Sequence, residues 1–201
     1  KNNLIVVIPV HEFNEEVGKY LNNAINSVPE NIEVRISCKK GLDTKIKKYL
    51  KEWTDIKYIT NDKSDFASLI NNAISNSKYF SILEYDDEYT PIWFTNVEKY
   101  IESMPDVSVF MPLTDIVDIN DNKYIGMGNE APWASSFSNE IGYIDLDCLQ
   151  SFFEFYLTGC IFNTADWKEM GGLKTNIPIY FWYEFLLRMT NKSKKVFVIP
   201  K

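Results

Sequence analysis

LIVVIPVHEFNEEVGKYLNNAINSV, residues 4–28, decides how the rest of the chain is read. LIVVIPV (4–10) is an unbroken apolar run of strand length, the pattern of a strand covered on both faces. After HEFN the period changes. Val17, Leu21, Ala24, Ile25 and Val28 recur at helical spacing, and Glu15 and Glu16 occupy the first turn, where the helix dipole favours acids. Strand, short loop and helix form the opening of a βαβ unit, and the pattern then repeats. IEVRISC (32–38), IKYIT (56–60), KYFSILE (78–84) and VSVFMPL (107–113) read as strands. LDTKIKKYLKEW (42–53), DFASLINNAIS (65–75) and PIWFTNVEKYIES (91–103) read as the helices between them. Ser64 is the expected cap of the second of these helices, Thr90 the cap of the third, and Pro91 its N1 residue. This alternation predicts an α/β fold with a mainly parallel, Rossmann-like sheet flanked by helices on both faces.

The second half is less regular. DIVDINDNKYIGMG (115–128) reads as a hairpin turning at Asn120, Asp121 and Asn122. NEAPWASSFSNEIG (129–142) has no period and reads as a long loop. DLDCLQSFFEFYL (145–157) and IPIYFWYEFLLRMTN (177–191) read as helices, GCIFNT (159–164) as extended, and KVFVIP (195–200) as a last strand. No linker or repeat breaks the chain, so one domain is expected, with a ligand-binding half (1–113) and an irregular half (114–201).

Lys and Arg total 21 against 28 Asp and Glu, a net charge of −7, which excludes binding through a broad basic surface of the kind nucleic acids require. The three cysteines, Cys38, Cys148 and Cys160, contain no C-x-x-C pair, and His11 is the only histidine. Neither a zinc site nor a disulfide framework is expected; reduced thiols point to a cytoplasmic protein. No apolar run reaches the roughly 20 residues of a membrane span.

SILEYDDEYTP (81–91) holds the densest chemistry. An apolar strand stops at Glu84, and Asp86, Asp87 and Glu88 follow. In open parallel sheets ligands bind beyond the carboxyl ends of the strands, so Glu84–Asp87 and Pro9-Val10-His11 are expected to line one crevice. Oxygen ligands without His or Cys suit Mg²⁺ or Mn²⁺, which take one or two carboxylates and complete their shell with substrate phosphates. A solvated turn preceding a helix uses the same residues without a metal. Asp145-Leu146-Asp147 has D-x-D spacing too, but reads as an N-cap with a first-turn acid. His11 lies in the loop after the first strand. The aromatic run Tyr180–Phe185, Trp182 included, mostly builds core, whereas Trp133 lies in the irregular loop.

IPVHEFNEEVGKYLNNAINSV resembles the opening of family-2 glycosyltransferases, and NNAISNSKYFSILEYDDEYTP resembles that family's Asn-containing helix and acidic metal motif. GCIFNTADWKEMGGLKTN is similar to the segment opening its acceptor side, and FWYEFLLRM to the helix that carries Glu-Asp and, seven residues after the Glu, an Arg. The resemblance implies a GT-A fold that binds a nucleotide-diphosphate sugar such as a UDP-sugar. It implies an inverting, Mn²⁺- or Mg²⁺-dependent hexosyltransferase-type enzyme that moves the sugar to a glycan or other hydroxyl acceptor. Under it, Pro9 and His11 border the nucleotide, with a plain surface loop the alternative for His11, Asn71 or Asn72 lies beneath the diphosphate, Asp86 is the leading metal ligand, and Glu84 and Asp87 sit near ribose and diphosphate. The resemblance also makes Trp133 a candidate for acceptor or lid contact and the aromatic run around Trp182 a candidate to stack on a sugar ring.

Three departures follow. Glu84 stands where the family's motif begins with Asp. The second strand ends Ser37-Cys38-Lys39, without the base-reading Asp. Phe181-Trp182 stand where the family keeps Glu-Asp, whose Asp is the general base. Either Glu184 serves as base in a shifted helix register, or the base lies elsewhere, with Asp115 a candidate, or none is used. A catalytically reduced glycan- or nucleotide-binding module is the alternative to an enzyme.

Overall fold

The computed structural model describes residues 3–74 and 76–200. Its main sheet has seven strands in the order β3-β2-β1-β4-β8-β5-β9. β1 (Leu4–Val10) lies parallel between β2 (Glu33–Lys39) and β4 (Tyr79–Ile82), and β3 (Lys57–Asn61) extends the sheet beyond β2. β5 (Val107–Pro112) pairs parallel with β9 (Lys195–Ile199). Between β4 and β5 lies β8 (Ile161–Asn163), antiparallel to both. A separate antiparallel pair, β6 (Thr114–Val117) and β7 (Tyr124–Gly128), continues from the end of β5.

β1 alternates between two apolar layers. Ile5 and Val7 join one buried cluster, and Val6, Ile8 and Val10 the other. Strands buried on both faces need continuous apolar sequence, as LIVVIPV has. One layer is covered by α1 (Glu15–Asn26), α2 (Leu42–Tyr49) and α4 (Trp93–Ser103) through residues such as Leu21, Ile46 and Val97. The other is covered by α3 (Phe66–Ala73), α5 (Leu146–Ser151), α6 (Thr164–Glu169) and α7 (Phe181–Asn191), including Ile70, Leu149, Trp167 and Phe185. This is the doubly covered α/β sheet that the alternation predicts. Its largest side chains meet around Phe162, whose ring lies 5.0 Å from Phe80 and Trp167 and 5.8 Å from Trp182.

Several local expectations are corrected. Asp65, not Ser64, caps α3 by accepting from the Ser68 N–H at 2.9 Å. α4 begins at Trp93 because Thr90 closes a turn to the Trp93 N–H, and Pro91 and Ile92 lie within that turn rather than in the helix. The helix expected over 145–157 ends at Ser151; Phe152 turns to extended backbone, and residues 152–158 run on irregularly. Asp145 caps α5 through the Cys148 N–H at 2.8 Å, the structural role that its D-x-D spacing suggested. The loop at 129–142 holds one short 3-10 turn and runs beside β9, with an antiparallel bridge from Tyr143 to Phe197. Among the described residues no helix is long and apolar enough to cross a membrane.

Candidate active site

The carboxyl ends of β1 and β4 meet in a cavity of about 160 Å³ lined by Pro9, His11, Phe66, Glu84, Tyr85 and Asp86. It exists because β1 and β4 are hydrogen-bonded neighbours, so the chains leaving them diverge over one gap. The structure thus brings four of the candidate residues, Pro9, His11, Glu84 and Asp86, to one place. His11 is exposed and its ring stands 5.9 Å from that of Tyr85. Asp86 is exposed, whereas Glu84 and Asp87 are half-buried.

Asp87 turns away from the cavity toward Thr158, whose hydroxyl bonds to its carboxylate. The same hydroxyl accepts the Glu84 N–H at 3.2 Å. Thr158 leads into β8, so the second half of the chain fixes the acidic end of β4.

The electrostatics are one-sided. Burial raises the Glu84 carboxyl to about 7, and the charges of Asp87 and Asp86 add to the effect. Burial likewise raises Asp87, partly opposed by its bond from Thr158. Tyr85 is raised by burial and then by Asp86, Glu12, Glu84 and Glu16, which places the acids of the HEFNEE loop within reach of the same mouth. Among the described residues, no ion pair involves Glu84, Asp86 or Asp87. Two half-buried carboxylates raised chiefly by burial, beside the exposed Asp86 and with no ion-pair partner among the described residues, fit a divalent ion. Among the described residues, however, no group of three or more His, Cys, Asp or Glu side chains is arranged to enclose a metal. Such a partial set matches Mg²⁺ or Mn²⁺, whose remaining ligands come from phosphate and water.

Glu84 therefore gives a pH signature. Its folded carboxyl lies near 7, above the ordinary 4.5, so the folded form binds the proton more tightly than the unfolded form. The stability it contributes is present below about pH 4.5 and is lost as pH rises through 7, by about 3 kcal/mol in all. Wild type should lose stability relative to Glu84→Gln between pH 5 and 8 in thermal melts without metal. Adding Mn²⁺ should close that gap at pH 8 and do little at pH 5. Parallel pH curves for the two proteins would refute the assignment.

The remaining candidates lie elsewhere. The Asn71 carboxamide is committed at both ends, donating to the Leu173 carbonyl at 2.7 Å and accepting the Leu173 N–H at 2.9 Å. It braces the turn at Gly172, where φ is +66° and a Cβ would stand 2.4 Å from the Asn71 Oδ1. Asn72 donates to Asn61 at 2.7 Å, and Asn61 in turn bonds to Ser37 at 3.0 Å. Asn71 is thus a structural link, and Asn72 is tied to the end of β3 through its amide nitrogen. Trp182 is only 7% exposed and packs among Phe162 and Phe185, so it is core rather than an acceptor surface. Trp133 donates to the Val198 carbonyl at 3.0 Å and packs on Phe197, which holds it at the β9 edge, away from the β1–β4 cavity.

Glu184 faces Arg188 and Lys174. Arg188 bonds both of its carboxylate oxygens, and the Lys174 Nζ lies at 3.0 Å. Burial alone would raise its carboxyl, but the bonds from Arg188 and Lys174 outweigh it and hold the group below the usual range. A base held by two cations is poorly suited to taking a proton. Asp115 is exposed on β6, where it pairs in register with Met127.

Sequence reasoning missed Phe66 and Thr158 as parts of the site, whereas Tyr85 lies within the expected stretch Glu84–Asp87. Phe66 reads as one more apolar residue of a helix face; its placement at the first turn of α3, at the strand-end side of the sheet, was the available signal. Nothing local marks Thr158, because its partners are more than 70 residues away. A larger cavity of about 410 Å³ opens at the start of β9, lined by Tyr143, Asp145, Asp147, Lys194 and Lys195 among others. It lies at the opposite end of the parallel strands from Glu84 and Asp86, and its lysines are already paired with Asp166, Glu169 and Asp106.

No family model matches the sequence, and no curated protein sequence does. Solved structures match it over nearly its whole length. A fragment of S. aureus TarS (1–349) superposes with a TM-score of 0.68 at 13% identity, covering 98% of this chain and 58% of that one. The same fragment in complex with UDP gives 0.67 at 14% identity, covering 98% and 57%. The mannosyltransferase PcManGT from Pyrobaculum calidifontis, in complex with GDP-Man and Mn²⁺, gives 0.70 at 12% identity, covering 99% and 55%. The chain therefore spans under three fifths of the length of these proteins. A mainly parallel sheet covered on both faces, with the antiparallel β8 between β4 and β5, and these matches together show that the chain has the fold of the GT-A glycosyltransferases.

Proposed function

We propose that the chain is a nucleotide-sugar-dependent glycosyltransferase domain that transfers hexose from a nucleotide diphosphate, with inversion, to a hydroxyl of a glycan or similar acceptor. The observation that carries this reading is the convergence of Glu84 and Asp86 with Pro9 and His11 in one cavity at the strand ends. It is supported by structural neighbours that hold UDP in one case and GDP-Man with Mn²⁺ in another.

The residues have distinct tasks under this reading. Pro9 and His11 flank the nucleotide, with Phe66 as a further wall. Asp86 and Glu84 would hold Mn²⁺ or Mg²⁺. That ion, when bound, neutralises the diphosphate and stabilises it as the leaving group. Asp87 keeps Glu84 oriented through Thr158. Residues 1–113 supply most of the donor side and residues 114–201 the acceptor side. Glu184 is held by Arg188 and Lys174, so the proton of the attacking hydroxyl goes to a base elsewhere, with Asp115 a candidate, or transfer proceeds without one. The three free cysteines are all buried and suit a reducing compartment, consistent with a cytoplasmic location.

A specific observation favours the second reading, a module that binds nucleotide or glycan without transfer. α7 presents buried Trp182 and cation-bound Glu184 where a free carboxylate would serve as base. One experiment separates the two. UDP and GDP are titrated with and without Mn²⁺ by calorimetry, and release of nucleotide from UDP- and GDP-hexoses is followed. Metal-dependent binding with release supports the enzyme. Binding without release supports the module, and no binding in the presence of Mn²⁺ rejects the enzyme using these donors and leaves only a glycan-binding module.

A further inference from the structure

Tyr180 carries three features that the donor cavity does not use. Its backbone is left-handed, with φ 61° and ψ 16°, a conformation costly for a bulky residue and usual only for glycine. Its side chain is exposed: the residue is 64% accessible, next to Ile179 at 66%. It also adjoins the site, because the next residue, Phe181, packs its ring 5.3 Å from Phe66, which lines the cavity.

The strain has a visible mechanical origin. Arg188 bonds the Met170 and Gly172 carbonyls as well as Glu184, fixing α7 to the Gly171-Gly172 turn. Phe181 is held on Phe66, and the Tyr180 carbonyl accepts the Glu184 N–H at 2.9 Å to start the helix. With both ends fixed, the chain must turn sharply at residue 180. Glycine would relieve the strain there, whereas the sequence places an exposed phenol ring at that point. Strain over-determined by its surroundings is characteristic of ligand-contacting positions.

The chemistry of the rim narrows the ligand. The mouth of the cavity on the β1 and β4 side is acidic, with Glu12, Glu16, Glu84 and Asp86 acting on Tyr85. Phe181, packed on the cavity-lining Phe66, ends an uncharged run, Ile-Pro-Ile-Tyr-Phe, whose Ile179 and Tyr180 are exposed. An uncharged ring with one apolar face suits such a rim, and a pyranose presents its axial C–H groups in that way to an aromatic ring. Resting on the glycosyltransferase reading above, we infer that Tyr180 is an acceptor-specificity residue, a platform on which a pyranose acceptor stacks beside the donor cavity.

The test uses Tyr180→Gly, Tyr180→Ala and Tyr180→Phe in the whole chain. Saturation-transfer NMR is recorded with four methyl β-pyranosides of gluco, galacto, manno and N-acetylglucosamine configuration, alongside thermal melts and a UDP–Mn²⁺ titration. The parent and Tyr180→Phe should transfer saturation to the C–H protons of at least one pyranoside. Tyr180→Gly and Tyr180→Ala should reduce it at least fivefold, while the melting temperature of Tyr180→Gly stays equal or rises. Undiminished transfer in the Gly and Ala variants, or no signal from any of the four sugars with the parent, overturns the inference. In either case, intact UDP–Mn²⁺ binding by the parent confines the failure to Tyr180, and its absence extends the failure to the functional reading.

Discussion

Replacing Asp86 with asparagine is expected to weaken UDP or GDP binding in the presence of Mn²⁺ by about 100-fold or more, about 3 kcal/mol. The change removes one negative charge and almost no volume. Asp86 is exposed and, among the described residues, takes part in no ion pair or hydrogen bond, so the fold should keep its stability within about 0.5 kcal/mol. The sign of the effect is the informative part. Glu84, Asp86 and Asp87 repel a diphosphate when no cation lies between them. Without a metal role, Asp86→Asn would therefore strengthen nucleotide binding. With one, it weakens binding, and only when Mn²⁺ is present. Calorimetric titrations of wild type and variant, each with Mn²⁺ and with chelator, read both signs directly. Equal or tighter binding by the variant in Mn²⁺ would remove Asp86 from the metal site.

The largest effect on stability is expected at Arg188. Its guanidinium reaches both Glu184 oxygens and the carbonyls of Met170 and Gly172, and its plane lies 5.2 Å from the Phe185 ring. Arg188→Ala leaves the half-buried Glu184 with Lys174 as its cation and strips two carbonyls of a donor. The cost is about 3 kcal/mol, on the order of 10 °C in melting temperature for a chain of this size. Glu184→Gln should cost less, about 1–2 kcal/mol, because a carboxamide still accepts one bond from Arg188. The pair of variants also separates two roles for Glu184. If it were the general base, Glu184→Gln would abolish transfer while the protein stayed folded at its normal temperature. If it is a brace, the melting temperature falls and turnover below that temperature persists. Urea unfolding and initial rates on the same samples distinguish these outcomes.

The fold was legible wherever the hydrophobic period was strong. LIVVIPV and the helix after it belong to one buried unit whose period switches from continuous to 3.6, and its partners repeat the switch. β8 was legible as extended but not as antiparallel, because three residues carry no sign of direction; its neighbours β4 and β5 decide that. Caps were the weaker signal. Asp65 takes the cap expected of Ser64, and the turn closed by Thr90 moves the start of α4 on to Trp93. For the site, Glu84 and Asp86 were readable because an apolar run ends abruptly in acids. The standing of Asn71, Trp133 and Trp182 was not readable. Each is defined by a partner distant in sequence: Leu173 for Asn71, Val198 for Trp133, and Phe162 for Trp182. Residue type alone could not show that Asn71 and Trp133 were already hydrogen-bonded or that Trp182 was packed into the core.

The placement of β8 bears on how the chain is made. Tyr79 on β4 awaits Asn163, and Val109 on β5 awaits Phe162, so the middle of the sheet cannot close until residues from late in the chain have left the ribosome. During synthesis β4 has β1 as a neighbour, but β5 has none in the main sheet until β8 and β9 arrive. A nascent chain stopped after residue 113 would leave three strand borders without the partners they later find, one on β4 and two on β5, each an invitation to aggregate. Such long-range pairing also slows folding, since the intervening loop must close before its contacts form. The acidic end of β4 acquires its Thr158 bond in the same late step, so the candidate site is assembled only as folding completes.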